Sequence, residues 1–128
     1  MRAILTPFRY RSEDHRFFAP LLLHHDHEHA IVAHLGAAGR LVAMSETVGE
    51  ADSIHLPLRT IVGDALANDA QSLIIAHNHP SGDSRPSEAD IETTRSLAML
   101  LRPLGIRIHD HLILTDERTT SFRALGWL

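Results

Sequence analysis

Gln71-Ser72-Leu73-Ile74-Ile75-Ala76-His77-Asn78-His79-Pro80-Ser81-Gly82-Asp83-Ser84-Arg85-Pro86-Ser87-Glu88-Ala89-Asp90-Ile91 contains a strand, a loop and the start of a helix. The apolar run Leu73 to Ala76 is short, rich in isoleucine and bounded by turn residues, which predicts a buried strand. Strand side chains alternate faces, so His77 and His79 point to one side and Asn78 to the other. Pro80 stops the strand, and residues 81–86 have the composition of a loop. Ser87 is a good N-cap for the helix that follows, with Glu88 and Asp90 in its first turn, where acidic side chains suit the positive end of the helix dipole. Asp90 has two readings. It can close a capping box with Ser87, or, if the loop folds the helix start back over the strand end, it can bring a carboxylate to the two imidazoles. Two His and one carboxylate with a fourth position left for water is the pattern of catalytic zinc, because structural sites close all four positions and usually use Cys.

Composition narrows the chemistry. With 128 residues and 44% hydrophobic content, the chain fits one domain around a single core. It has no cysteine, so disulfides and thiolate metal sites are excluded and any transition metal must use His, Asp or Glu. All 12 basic residues are arginine, none of them clustered, and the net charge is -4, which argues against strong direct binding to a nucleic-acid backbone. The first residues lack the apolar core of a signal peptide and no run approaches a membrane span, so a cytoplasmic protein with no membrane partner is expected. Of the 11 histidines, five (His24, His25, His27, His29 and His34) lie in or beside one segment, which is read as a His-rich surface turn, not a second dedicated site.

The pattern His77-Asn78-His79-Pro80, six residues, then Ser87 and Asp90 resembles the JAMM signature of MPN-domain metalloproteases. With Ser81-Gly82-Asp83 and Pro86 it is similar to the RadC version in particular. Asp110-His111-Leu112-Ile113-Leu114, Ser121-Phe122 and Leu125-Gly126 resemble the end of RadC domains, and Glu28-His29 their start. The resemblance covers residues 26–128, leaving residues 1–25 as an N-terminal arm and short helix. It implies an α/β fold: a single MPN (JAB)-like domain with a mixed sheet flanked by helices in cytidine-deaminase-like layering. It also implies zinc held by His77, His79 and Asp90, with Glu28 as general base and Ser87 donating to the oxyanion, acting on a peptide or isopeptide. RadC-like proteins usually carry a helix-hairpin-helix DNA-binding domain ahead of the metal domain. About 25 residues precede Glu28, too few for one, so that part is expected to be missing. Leu58-Arg59-Thr60 stands where RadC proteins commonly have Pro-Arg-Glu, keeping the arginine and losing the acid.

Outside the motif, residues 1–12 read as an irregular arm, and residues 13–25 as a helix capped by Ser12 and interrupted by Pro20. Ala30 to Leu35 and Arg40 to Ser45 form a hairpin around Gly36-Ala37-Ala38-Gly39. If Leu35 pairs with Arg40, His29 lies opposite Glu46 and Glu28 points to the other face, so only one of the two glutamates faces the metal. A one-residue slip would swap them; the resemblance favours Glu28. Leu58 to Leu66 and Ser87 to Arg102 have helical spacing, and Ile106 to Leu114 reads as one bent or two short strands. Asp110 and His111 could back a zinc ligand, but Asp so often opens turns that a turn is expected there. For Ser87, spending its oxygen as an N-cap competes with the oxyanion role.

The sequence therefore points to a zinc metallohydrolase. A different class stands beside it: a zinc-stabilised interaction domain acting in DNA repair or recombination through protein partners, with weak or no hydrolysis. An HNH-type nuclease is disfavoured, because the His-Asn-His of that class is not contiguous and the cations a phosphodiester would need are absent. Oligomeric state is not legible.

Overall fold

The computed structural model describes residues 15–128. The expected arm and the Ser12 cap lie outside these residues. Eight principal elements follow in order: α1 (His15–Leu22), β1 (His29–Leu35), β2 (Leu41–Val48), α2 (Leu58–Ala67), β3 (Ser72–Asn78), α3 (Glu88–Leu101), β4 (Arg107–Leu114) and β5 (Thr119–Ser121). The strands form one mixed sheet in the order β2-β1-β3-β4-β5. β3 sits at its centre, antiparallel to β1 and parallel to β4. A parallel pair needs a crossover, and α3 supplies it.

The two faces of the sheet bury different sets. Ile31, Ala33, Ile74, Ala76, Leu112 and Leu114 pack under α1 through Phe18 and Leu22. Val32, Leu73, Ile75 and Ile108 pack under α2 and α3 through Ile61, Ala65, Leu97 and Leu101. This is a single domain in three layers, of the α/β class, with the near-continuous apolar strands that a sheet covered on both faces requires. α1 continues through Pro20, which stands exposed two residues before the helix ends. Its last turn still closes, with the Leu23 N–H donating to the Ala19 carbonyl at 3.0 Å. No helix of the described residues is long and apolar enough to cross a membrane.

The hairpin register differs from the expected one. Ala37–Gly39 forms a short 3-10 turn with Ala38 at φ 58°, and the ladder shifts between His34 and Leu35. His29 therefore pairs with Val48, and Glu46 with Ile31. The displacement along the strand is even, so each residue keeps its face; His29 and Glu46 remain on one side, with Nδ1 and Oε1 3.6 Å apart. β4 is one strand with an extra residue: Leu73 pairs with Ile108 but Ile74 with Asp110, leaving His109 bulged. The bulge turns both Ile108 and His111 towards α3.

Candidate metal centre

β3 runs out at Asn78, but the His79 N–H still donates to the Leu114 carbonyl at 3.0 Å, so the strand geometry holds through the second histidine. The alternation then places His77 and His79 on the α3 side, with their Nε2 atoms 3.0 Å apart. The loop turns back at once: the Gly82 N–H donates to the His79 carbonyl, and Gly82 takes φ 87°, a left-handed value glycine adopts without strain. The Asp83 carbonyl lies 2.7 Å from His79 Nδ1 and fixes that ring from behind.

Ser87 caps α3. Its Oγ accepts from the Asp90 N–H at 3.0 Å, and the Asp90 Oδ2 accepts from the Ser87 N–H at 2.9 Å, a reciprocal capping box. The same carboxylate faces the imidazoles, Oδ1 lying 3.4 Å from His77 Nε2 and Oδ2 3.2 Å from His79 Nε2. The two sequence readings of Asp90 are thus compatible in one side chain, which is 9% exposed and does not point into solvent.

Which glutamate joins them is settled by the central pairing. Ala30 pairs with His77 and Ile31 with Ala76, so even-numbered residues of the first strand share the face of His77. Glu28 is on that face and Glu46 on the other. Glu28 is buried, with Oε1 3.9 Å from His77 Nε2. Its backbone is fastened by the Glu28 N–H to the Glu50 carbonyl and by the Gly49 N–H to the Glu28 carbonyl. Asn78, between the two histidines but on the opposite face, grips the residues either side of Glu28: Oδ1 accepts from the His29 N–H at 2.6 Å and Nδ2 donates to the His27 carbonyl at 3.0 Å. An open groove of about 510 Å³ runs past Glu28, Asp52, His79, Ser87 and Asp90.

Glu28, His77 and His79 each offer a donor atom within 4.8 Å of the others, an arrangement that can hold a metal ion, and Asp90 reaches the same two imidazoles. A family model described as a RadC-like JAB domain matches residues 10–127. The chain belongs to this family. Among curated proteins, the JAB domain is 42% identical over 108 residues to a UPF0758 protein of Cellvibrio japonicus, covering 84% of this chain and 48% of that protein. It is 40% identical over 108 residues to one of Rhodobacter capsulatus (84% and 50%) and 38% identical over 102 residues to one of Methanospirillum hungatei (79% and 45%). The chain spans about half the length of the curated relatives it matches.

Electrostatics separates the two carboxylates of the JAB domain. Burial, with Asp90 and Asp52 adding to it against the opposing pull of His79, pushes Glu28 up to about 7. Burial also works to raise Asp90, but the adjoining His77 and His79 imidazoles and the Ser87 N–H outweigh it and hold Asp90 well below the carboxylate range. Burial lowers His77 despite its contact with Asp90. For His79 burial is overcome by Asp90, the Asp83 carbonyl and Glu28, and the pKa rises. One carboxylate stays ionised while the other can exchange a proton near neutrality, which is how paired acids acquire separate tasks.

Two further residues belong to the site. His111 is not in a turn: it lies in β4, 1% exposed, with Nε2 2.8 Å from His77 Nδ1 and its ring stacked on Phe122. Thr94, on α3, contacts His111 Nδ1 at 2.6 Å. Asp110 points the other way and ties the C-terminal segment to β4 by accepting from the Arg123 N–H and the Ser121 hydroxyl. The Asp-His pair was a readable signal; which of the two faces the metal centre was not, because the His109 bulge decides it. In the His-rich segment, the rings of His24, His25 and His29 pack against one another.

Proposed function

We propose that this domain is a zinc-dependent hydrolase of peptide or isopeptide amides, with His77, His79 and Asp90 as the metal ligands, Glu28 as general base and Ser87 as oxyanion donor. The observation that carries it is the convergence of two imidazole Nε2 atoms and an ionised carboxylate, with a second carboxylate of raised pKa beside them. The donor set fits zinc: nitrogen and oxygen ligands, three from the protein, opening on a groove. When bound there, zinc supplies Lewis-acid polarisation of a carbonyl and a lowered pKa for a water. Glu28 takes the proton from the attacking water and returns it to the leaving amine, a task for which a carboxyl near 7 is suited. Ser87 spends a lone pair on the helix cap but keeps its O–H to donate. The groove walls carry no arginine or lysine besides Arg85, which is paired with Asp83, so a polyanionic substrate is disfavoured.

The test uses the full chain, with a mixed peptide library and isopeptide-linked peptides as probes and mass spectrometry to find cleavage. Wild type is expected to contain one zinc and to cleave. Glu28→Gln should keep zinc and fold while losing cleavage. A wild type that binds zinc yet behaves like Glu28→Gln in every assay would favour the second reading, a metal-stabilised interaction domain acting through protein partners in DNA repair or recombination.

A further inference from the structure

We infer that Thr94 and His111 form a buried relay that fixes the proton of His77 on Nδ1 and so keeps its Nε2 lone pair turned towards the metal. The inference rests on the reading of His77 as a ligand. It follows from counting hydrogens. The Thr94 hydroxyl has one, and donates it to the Asp90 backbone carbonyl at 2.8 Å, a group that can only accept. Its other contact is His111 Nδ1 at 2.6 Å, so there the oxygen accepts and His111 carries its hydrogen on Nδ1. His111 is 1% exposed and stacked on Phe122, and its two ring nitrogens face Thr94 and His77, neither of them an anion, so the ring holds a single hydrogen. Its Nε2 is therefore bare and accepts from His77 Nδ1 at 2.8 Å. His77, itself buried, is left with an unprotonated Nε2.

A force opposes this arrangement. The Asp90 carboxylate, 3.4 Å from His77 Nε2, would by itself draw the proton to that nitrogen and block the lone pair. The relay holds the other tautomer. It begins on the backbone of Asp90 and ends on His77, so it also ties two ligands from different elements into one hydrogen-bonded chain. The group behind a metal-bound imidazole commonly fixes its tautomer, and its removal typically costs about 10- to 100-fold in metal affinity. Thr94 and His111 are positioning residues in this sense.

The test has two readouts, neither of them activity. Long-range proton–nitrogen correlation spectra of the full-length, metal-free protein, recorded at about pH 8 where free imidazoles are neutral, report which nitrogen of His77 is protonated. Competition with a chelator reports the Zn2+ affinity. Wild type should carry the His77 proton on Nδ1. Thr94→Val should move it to Nε2 and weaken Zn2+ binding about 10- to 100-fold; Thr94→Ser, which keeps the hydroxyl, should restore both. A wild-type His77 protonated on Nε2 overturns the relay even if Thr94→Val fails to fold, as does a Thr94→Val protein with unchanged tautomer and affinity. A wild type with the expected tautomers that takes up no Zn2+ would leave the relay standing and refute the metal centre instead.

Discussion

Ser87 and Asp90 cap α3 reciprocally, and the roles proposed for them in the metal centre are compatible with that cap. Ser87 Oγ accepts from the Asp90 N–H, which stabilises the start of α3, while its hydrogen stays available to a substrate oxygen. The two roles can be separated. Ser87→Ala should lower stability by about 1 kcal/mol, whereas Ser87→Gly should cost only a few tenths, because glycine is a tolerable N-cap. Both should reduce cleavage about 10²- to 10³-fold, the usual consequence of losing one oxyanion donor. Urea midpoints and turnover on a single cleaved peptide check this, and a Ser87→Gly protein of wild-type turnover would reduce the serine to a cap. Strand alternation made the shared face of His77 and His79 legible, whereas Asp90 stood open between cap and ligand and its place beside them came from the family resemblance. Thr94 gave no such signal: it looks like one more apolar-face residue of a helix, and its role depends on a strand that arrives 17 residues later.

At the level of elements, the site is an alignment problem: Glu28 precedes β1, and its carboxylate must meet the proposed ligands at the end of β3 and the start of α3. Gly49 and Asn78 perform that alignment. A Cβ on Gly49 would lie 2.7 Å from the Cβ and 2.9 Å from the Cα of Ile54, and backbone cannot swing aside like a side-chain tip. Gly49→Ala should therefore push residues 50–54 away and drag the paired Glu28 with them, at an overpacking cost of about 1 to 3 kcal/mol. Because a misplacement of about 1 Å can cost about 10²-fold in rate, turnover should fall by about that factor while zinc content stays at one per chain, since no ligand is attached to this loop. Equal loss of zinc and turnover would contradict it. The hairpin register that governs Glu28 was only half readable. Alternation gave the faces, and those survived; the pairing partners did not, because Ala38 in a left-handed conformation and the irregularity at Leu35 take up residues that a simple hairpin count leaves out.

For the molecule as a whole, the sheet carries a second buried polar network, away from the metal centre, that should make stability depend on pH. His34 is 0% exposed near the C-terminal end of β1. The Ser45 hydroxyl donates to Asp64 Oδ2 at 3.1 Å, so Ser45 Oγ, 3.0 Å from His34 Nε2, accepts from that nitrogen. His34 Nδ1 is then bare and finds no partner among the described residues. Protonation would put a hydrogen there, in apolar surroundings, with nothing to receive it. Burial accordingly lowers the His34 pKa from 6.5, against the pull of Asp64. The unfolded chain thus binds the proton at higher pH than the folded one, so stability is fully present above about 6.5 and declines as pH falls through the window beneath it. One such proton corresponds to at most about 1.4 kcal/mol per pH unit. Urea unfolding of metal-free protein between about pH 7.5 and 5.5 spans this window; Glu28, raised to about 7, titrates there as well, so the His34 share is read as the difference between wild type and a variant that lacks it. His111, buried and lowered, adds to the His34 slope, whereas Glu28 and His79, both raised, oppose it, so the wild-type slope is a net of the two signs. His34→Gln, which keeps a donor for Ser45 and removes the titration, should shift the slope of stability against pH downward by up to one proton relative to wild type while leaving zinc affinity at neutral pH unchanged. An identical slope in the variant would mean that His34 is protonated in the folded state, with Nδ1 reaching water through the face covered by α2.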